Sequence, residues 1–252
     1  MGGISEVQSS DLTVTRDAKI LKFNWEDYMN NLIIFDIDGT LINTFKLEDE
    51  LYIDAVYRSL KKEFTINTNW DLYQYSTDAG VFSEIVNHHF ARGPSAQEQH
   101  LMEALFVESI NQAFIKTPTL WGSLPGAEFI FQTLKSIGWD VAIATGGWHK
   151  SALLKLNKAN LYHNNVPLAS SNDAFHRKDI IQIAIARAQT FYKKSAYSKI
   201  FYVGDKAWDK RAADDLNIDF IGIGDNWASL DNPFLHIQDY KCSKLVDYLK
   251  QI

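Results

Sequence analysis

Asp36-Ile37-Asp38-Gly39-Thr40 sets two carboxylates two residues apart, and on an extended chain side chains at i and i+2 leave on the same side. Such a pair can share a divalent cation, or divide the work of nucleophile and acid/base. Gly39 permits a sharp exit, while the Thr40 hydroxyl and nearby backbone N–H groups can meet an anion. Thr145-Gly146-Gly147 offers a hydroxyl followed by accessible amides, which is a small phosphate cradle. Gly204-Asp205-Lys206-Ala207-Trp208-Asp209 adds two carboxylates four residues apart. They suit the far wall of a Mg2+ site, because that ion takes one or two protein carboxylates plus water and phosphate oxygens. The stretch Asp173 to Asp179 contains Arg177 and Lys178, either of which can hold a phosphate and quiet repulsion among the carboxylates.

These groups belong together only if the chain brings them to one edge. Leu32-Ile33-Ile34-Phe35 is a continuous apolar run of the kind found in a central parallel strand, and it delivers Asp36 directly. Val141-Ala142-Ile143-Ala144 precedes Thr145, and Ile200-Phe201-Tyr202-Val203 precedes Gly204-Asp205. Weaker runs lie at Val166-Pro167-Leu168 and Phe220-Ile221-Gly222-Ile223. Helical stripes separate them: Ile130, Leu134 and Ile137 share one face, as do Ile181, Ala184, Ile185 and Ala188. Strand alternating with helix predicts βαβ units, a parallel sheet with helices on both faces, and chemistry at the carboxyl ends of the strands. Residues 45–118 show only helical patterns, with stripes at Ile53, Val56, Tyr57, Leu60, Phe64 and at Met102, Leu105, Phe106, Ile110, Ala113. The expected organisation is an extension over 1–30, an α/β core over 31–44 and 119–252, and a helical cap over 45–118. Leu12-Thr13-Val14-Thr15 alternates like a short strand inside the extension. The aromatics Tyr52, Tyr57, Tyr73, Tyr75, Phe82, Phe90 and Phe106 are expected to be mostly cap core.

Composition narrows the field. Among 252 residues, 46% are apolar and 22% charged, which excludes a disordered or fibrous chain. A net charge of −6 argues against a general nucleic-acid binder, though an anionic substrate still fits a locally basic pocket. Cys242 is the single cysteine, so an intramolecular disulfide or cysteine metal cage is excluded. It is expected to be a small, buried or half-buried hydrophobe. The seven histidines lack the spacing of a zinc site, and His149 is expected to be an ordinary helix-start residue. No apolar run approaches the about 18 residues of a membrane span. Met1 to Asp17 lacks a signal-peptide layout, so a cytoplasmic chain is expected, and a monomer or homodimer is the expected state.

The ordered set Asp-x-Asp-Gly-Thr, Thr-Gly-Gly, a basic residue and Gly-Asp-x-x-x-Asp resembles the haloacid dehalogenase-like superfamily, in its phosphatase branch. The likeness spans residues 31 to 225. The helical insert, Leu124-Pro125-Gly126 and the Asp173 to Ile181 stretch are similar to the phosphoglycolate-phosphatase-like group. That resemblance implies a three-layer Rossmann-like core and Mg2+-dependent hydrolysis of a small phosphorylated metabolite. It implies Asp36 as nucleophile forming an aspartyl-phosphate, and Asp38 as general acid/base. Mg2+ would be held by Asp36, the Asp38 backbone carbonyl and Asp205, with Asp209 as a neighbouring orienting carboxylate. The phosphate would be met by Thr145 and Gly146, with Gly39 and Thr40 nearby. The usual Lys-Pro-type loop is missing, so Arg177 or Lys178 must supply the cation, with Lys178 slightly preferred. A phosphosugar mutase or phosphotransferase of the same superfamily is the nearest alternative. A non-catalytic protein that senses a phosphometabolite is the other.

Overall fold

The computed structural model describes residues 30–43, 47–161, 164–227 and 234–252. Among them six strands form one parallel sheet: β1 (Asn31–Phe35), β2 (Trp139–Ala144), β3 (Leu168–Ala169), β4 (Lys199–Gly204), β5 (Asp219–Ile223) and β6 (Leu235–Ile237). Their order across the sheet is β3-β2-β1-β4-β5-β6. The central strand β1 pairs in parallel with β2 and β4, and Phe35 lies level with both Ile143 and Val203. Because those registers match, Asp36, Thr145 and Asp205 leave the sheet within about one residue of one another, at its carboxyl edge.

Alternation along the strands divides the core. Ile33, Phe35, Val141, Ile143, Phe201 and Val203 pack on the side that receives α4 (Ala127–Ser136), α5 (His149–Lys158) and α8 (Lys244–Leu249). Leu32, Ile34, Ala142, Ala144 and Tyr202 face α6 (Arg177–Tyr192) and α7 (Ala207–Asp215). Both faces are covered, which explains why the strands read as unbroken apolar runs. Each such buried Val, Leu, Ile or Phe side chain contributes about 1.5–3 kcal/mol relative to exposure. The three-layer α/β architecture expected from the sequence is the one observed.

Between β1 and β2 the chain forms α1 (Leu47–Leu60), α2 (Asp78–Phe90) and α3 (Ala96–Lys116). The start of α2 is capped by the Thr77 hydroxyl, which accepts from Gly80 N at 3.3 Å. A reciprocal Ser95/Glu98 capping box starts α3. In α3 the expected stripe holds, with Met102, Phe106, Ile110 and Ala113 buried. In α1 the buried stripe is Tyr52, Ala55, Val56 and Ser59, rotated from the expected one. The helix stops at Leu60, and Lys61 turns left-handed (φ 52°), so Phe64 lies beyond it.

Other differences are local. The 166–168 run yields only a two-residue strand, and β6 has too short an apolar run to stand out. Cys242 is exposed rather than buried, because it sits in the polar turn before α8, with Sγ 3.7 Å from Asp239 O. The Leu12–Thr15 expectation and most of the 1–30 extension fall outside the described residues. Among the described residues no helix is long and apolar enough to cross a membrane.

Candidate active site

Asp36 ends β1, and its backbone N–H donates to Val203 O at 3.0 Å, which anchors it against β4. Gly39 then turns the chain with φ 74°. A β-carbon there would lie 2.2–2.8 Å from the Asp205 carboxylate, so only glycine lets Asp205 approach. Oxygens of Asp36, Asp205 and Asp209 lie within 4.8 Å of one another, and all three residues are buried. Burial raises the Asp36 carboxyl to about 7, with Arg177 opposing the rise and Asp209 and Asp38 adding to it. Asp205 is pushed to about 6 by burial against the pull of Lys206, and Asp209 to about 6 by burial against the pull of Arg177. Three buried carboxylates that resist ionisation together, each offering hard oxygen, fit a divalent cation such as Mg2+.

While Lys206 pairs with Asp205, Arg177, the first residue of α6, is the cation that reaches Asp36 and Asp209. Its Nη1 lies 3.2 Å from Asp36 Oδ1 and 3.1 Å from Asp209 Oδ1, while Nη2 donates to Ser76 O at 2.8 Å. Burial opposes its charge, but Asp209, Tyr202 and Asp36 outweigh that and hold it firmly protonated. Lys178, the next residue, is exposed and is not on the wall of the cleft. One step along a helix turns a side chain by about 100°, so when Arg177 faces inward Lys178 faces out. Lys178, slightly preferred on the sequence, is therefore a surface residue, and of the two it is Arg177 that meets the carboxylates.

A cleft of about 410 Å3 opens above this edge. Asp36, Asp38, Thr145, Gly146, Arg177 and Asp205 line it. Asp209 stays behind the wall, held by Arg177, by the Tyr202 hydroxyl at 3.2 Å and by Lys206 N at 3.1 Å. Thr145 Oγ1 accepts from Gly147 N at 3.1 Å. At Gly146 a β-carbon would meet Arg177 Nη2 at 2.3 Å and Ser76 O at 2.8 Å, so the guanidinium needs this glycine. Thr40 does not join the site: it is fully buried away from the cleft wall, with its carbonyl bound by the Tyr240 hydroxyl at 2.9 Å. His149 is the first residue of α5, as expected of an ordinary helix start.

Three participants gave no recognisable signal in sequence. Lys155 of α5 is 1% exposed, and its Nζ donates to both Asp38 oxygens, at 2.8 and 2.9 Å, and to Glu48 of α1. Burial opposes its charge, yet Asp38 and Glu48 raise it well above the ordinary lysine range. Glu48 is raised by burial, with Lys155 opposing, and also accepts from Trp121 Nε1 at 2.8 Å. Asp78, the first residue of α2, accepts from Trp148 N at 2.9 Å, and its own N–H donates to Gly146 O at 2.8 Å. Burial raises Asp78 to about 7, against the pull of Lys155. With Thr77 Oγ1 donating to Phe175 O at 2.7 Å, the Ser76–Asp78 segment is pinned to the loops after β2 and before α6.

A family model described as haloacid dehalogenase-like hydrolase matches residues 33–223, from β1 through β5. The chain belongs to this family. No curated protein matches the sequence. Among solved structures, a hydrolase from Pseudomonas syringae is 18% identical, with 87% of this chain and 98% of that one covered and a TM-score of 0.60. CbbY from Rhodobacter sphaeroides, in complex with phosphate, is 15% identical over 85% and 96% of the two chains, with a TM-score of 0.58. A putative beta-phosphoglucomutase from Thermotoga maritima is 18% identical over 88% and 99%, with a TM-score of 0.53. At these identities the likeness establishes the shared fold, and within the family the chemistry depends on each chain's own side chains.

Proposed function

We propose that the chain is a Mg2+-dependent phosphatase acting on a small phosphate monoester, with residues 45–118 as its cap. The observation that carries this is the convergence of Asp36, Asp38, Asp205, Thr145 and Arg177 on one cleft at the carboxyl edge of the sheet. Phosphoryl transfer needs in-line positioning and neutralisation of the phosphoryl oxygens more than covalent ingenuity. Asp36 and Asp205, with the Asp38 backbone carbonyl, would hold Mg2+. When bound it neutralises phosphoryl charge and lets an anionic nucleophile approach an anionic ester.

An Asp36 carboxylate oxygen attacks phosphorus, and the bond from phosphorus to the alcohol oxygen breaks. Asp38 gives its proton to that departing oxygen. Water then attacks the aspartyl-phosphate at phosphorus, Asp38 takes the water's proton, and the bond to Asp36 breaks to release inorganic phosphate. Arg177 screens Asp36 and meets the phosphoryl oxygens together with Thr145 and the Gly146 N–H. Asp209 orients Arg177, and Lys155 with Glu48 fixes the direction of Asp38. The Ser76–Asp78 contacts hold the insert down over the cleft and shield the acyl phosphate from stray water.

Transfer of the phosphate to a second sugar hydroxyl is the rival reading, favoured by the beta-phosphoglucomutases among the similar structures. One assay tests both: phosphate release from p-nitrophenyl phosphate and a panel of small esters, with Mg2+ and with EDTA. Mg2+-dependent release that Asp36→Asn abolishes, with circular dichroism unchanged, is expected. Retained release in that variant refutes Asp36 as nucleophile, and an isomerised phosphosugar without release favours transfer.

A further inference from the structure

The phosphate end of the cleft is accounted for by the core, but the remaining wall comes from the insert and has a chemistry of its own. Among the described lining residues the two cations, Arg177 and Lys206, both belong to the core, and Lys206 already pairs with Asp205. The insert contributes the carboxylates Glu48, Asp49 and Asp78 together with Tyr52, Trp70 and Phe106. The rings stand edge to face around Tyr52, with centroids 5.9 Å from Trp70 and 5.4 Å from Phe106 at 82° and 85°. Asp78 is aimed at the reaction centre: a β-carbon on Gly147 would lie 3.8 Å from Asp78 Oδ2, 3.8 Å from Asp38 Oδ2 and 3.5 Å from Thr145 Oγ1.

This wall selects by charge. A carboxylate or second phosphate on the substrate's alcohol part would face Asp49, Asp78 and Glu48, where the nearby cation, Lys155, is buried and already shared between Asp38 and Glu48, and burying it there is costly. An uncharged hydroxyl can donate to those oxygens. A cation gains more, from charge-assisted hydrogen bonds to the carboxylates and from attraction to the aromatic rings. We infer that the substrate is a phosphate ester of an amino- or ammonium-bearing alcohol, with its cation seated against Asp78 and the Tyr52, Trp70 and Phe106 rings. This rests on the phosphatase reading and names the class of ester within it.

Three esters of nearly equal size and different charge test it: O-phosphoethanolamine, 2-hydroxyethyl phosphate and 2-phosphoglycolate, with p-nitrophenyl phosphate as the control for hydrolysis itself. The expected order of kcat/KM is amine over hydroxyl over carboxylate, with steps on the order of 10-fold. In Asp78→Asn the ratio of amine to hydroxyl ester should collapse severalfold within that one variant. If p-nitrophenyl phosphate is hydrolysed while phosphoglycolate matches or exceeds phosphoethanolamine, the substrate class is overturned and the phosphatase reading stands. If no ester is hydrolysed, the phosphatase reading falls, and the class is judged by binding to Asp36→Asn in MgCl2. A larger rise in melting temperature with phosphoethanolamine than with phosphoglycolate then supports it, and an equal or reversed rise overturns it.

Discussion

Replacing Asp78 by Asn should stabilise the protein above neutral pH, and the size of the gain follows from its surroundings. Burial, incompletely offset by Lys155, raises the Asp78 carboxyl from 3.8 to about 7. A rise of roughly three pK units is worth about 4 kcal/mol. Asp78 is only half-buried and borders the cleft, so water screening reduces the expected figure to about 2 kcal/mol. The sign follows from proton binding: between about pH 4 and 7 the folded state holds a proton on Asp78 that the unfolded chain has released, so stability is lost as pH rises through that window. Asn does not titrate, and its side-chain oxygen can still accept from Trp148 N, the bond that Asp78 makes at 2.9 Å. The variant should therefore match the wild type near about pH 4 and pull ahead by about 4–8 °C in melting temperature at about pH 8, at about 2–4 °C per kcal/mol for a chain of this size. Scanning calorimetry of both proteins in EDTA across that range reads the difference. A gap independent of pH, or a variant less stable at pH 8, refutes the assignment of a strained carboxyl to Asp78.

The other predictions test the remaining charges. Lys155→Met leaves Asp38 and Glu48 without their shared cation and should cost about 3–5 kcal/mol in urea unfolding, with Glu48→Gln recovering part of the loss in the double variant. Saturating MgCl2 should raise the wild-type melting temperature, more strongly at pH 8 than at pH 6, because protons compete for carboxyls raised to about 6–7. In Asp205→Asn that rise should largely vanish, and an undiminished rise would remove Asp205 from the metal site. Gly146→Ala forces Arg177 aside, since its new methyl would lie 2.3 Å from Nη2. A fall in kcat/KM of on the order of 100-fold is expected, and unchanged kinetics would mean that the guanidinium is not needed where it lies.

What could be read in the sequence is what depends on short-range pattern. The strands β1, β2 and β4 announce themselves because both faces of the sheet are covered, and each is followed at once by its polar payload, Asp36, Thr145 or Gly204-Asp205. The residues without a signal are those whose roles arise from packing across long separations. Lys155 lies mid-helix in α5 and looks like one more basic residue among Lys150, Lys155 and Lys158. Only the fold shows that it is fully buried between Asp38 and Glu48. Arg177 and Lys178 are adjacent in sequence and equally basic, and the choice between them is made by the phase of α6 against the sheet. Trp70 sits in a short helical turn with no periodicity, yet it lines the cleft.

The placement of these charges explains why the insert and the reaction centre act as one unit. Each carboxylate expected to do chemistry is answered by a cation that also binds the insert: Arg177 joins Asp36 to Ser76 O, and Lys155 joins Asp38 to Glu48. Lifting the insert away would therefore break both pairings and admit water, and ions separated that way in a wet cleft attract one another far less. On the proposed phosphatase reading, closing it would restore a low-dielectric site in which Arg177 and Thr145 act on a phosphate at full strength. The same closure would bring Asp78 and the Tyr52, Trp70 and Phe106 rings, which line the cleft, over the rest of the substrate. An ester whose alcohol part satisfies that wall favours the closed arrangement, whereas one that brings a further negative charge opposes it. Substrate choice and assembly of the site thus draw on the same set of contacts, which is why a specificity change at Asp78 is expected to appear in kcat as well as KM.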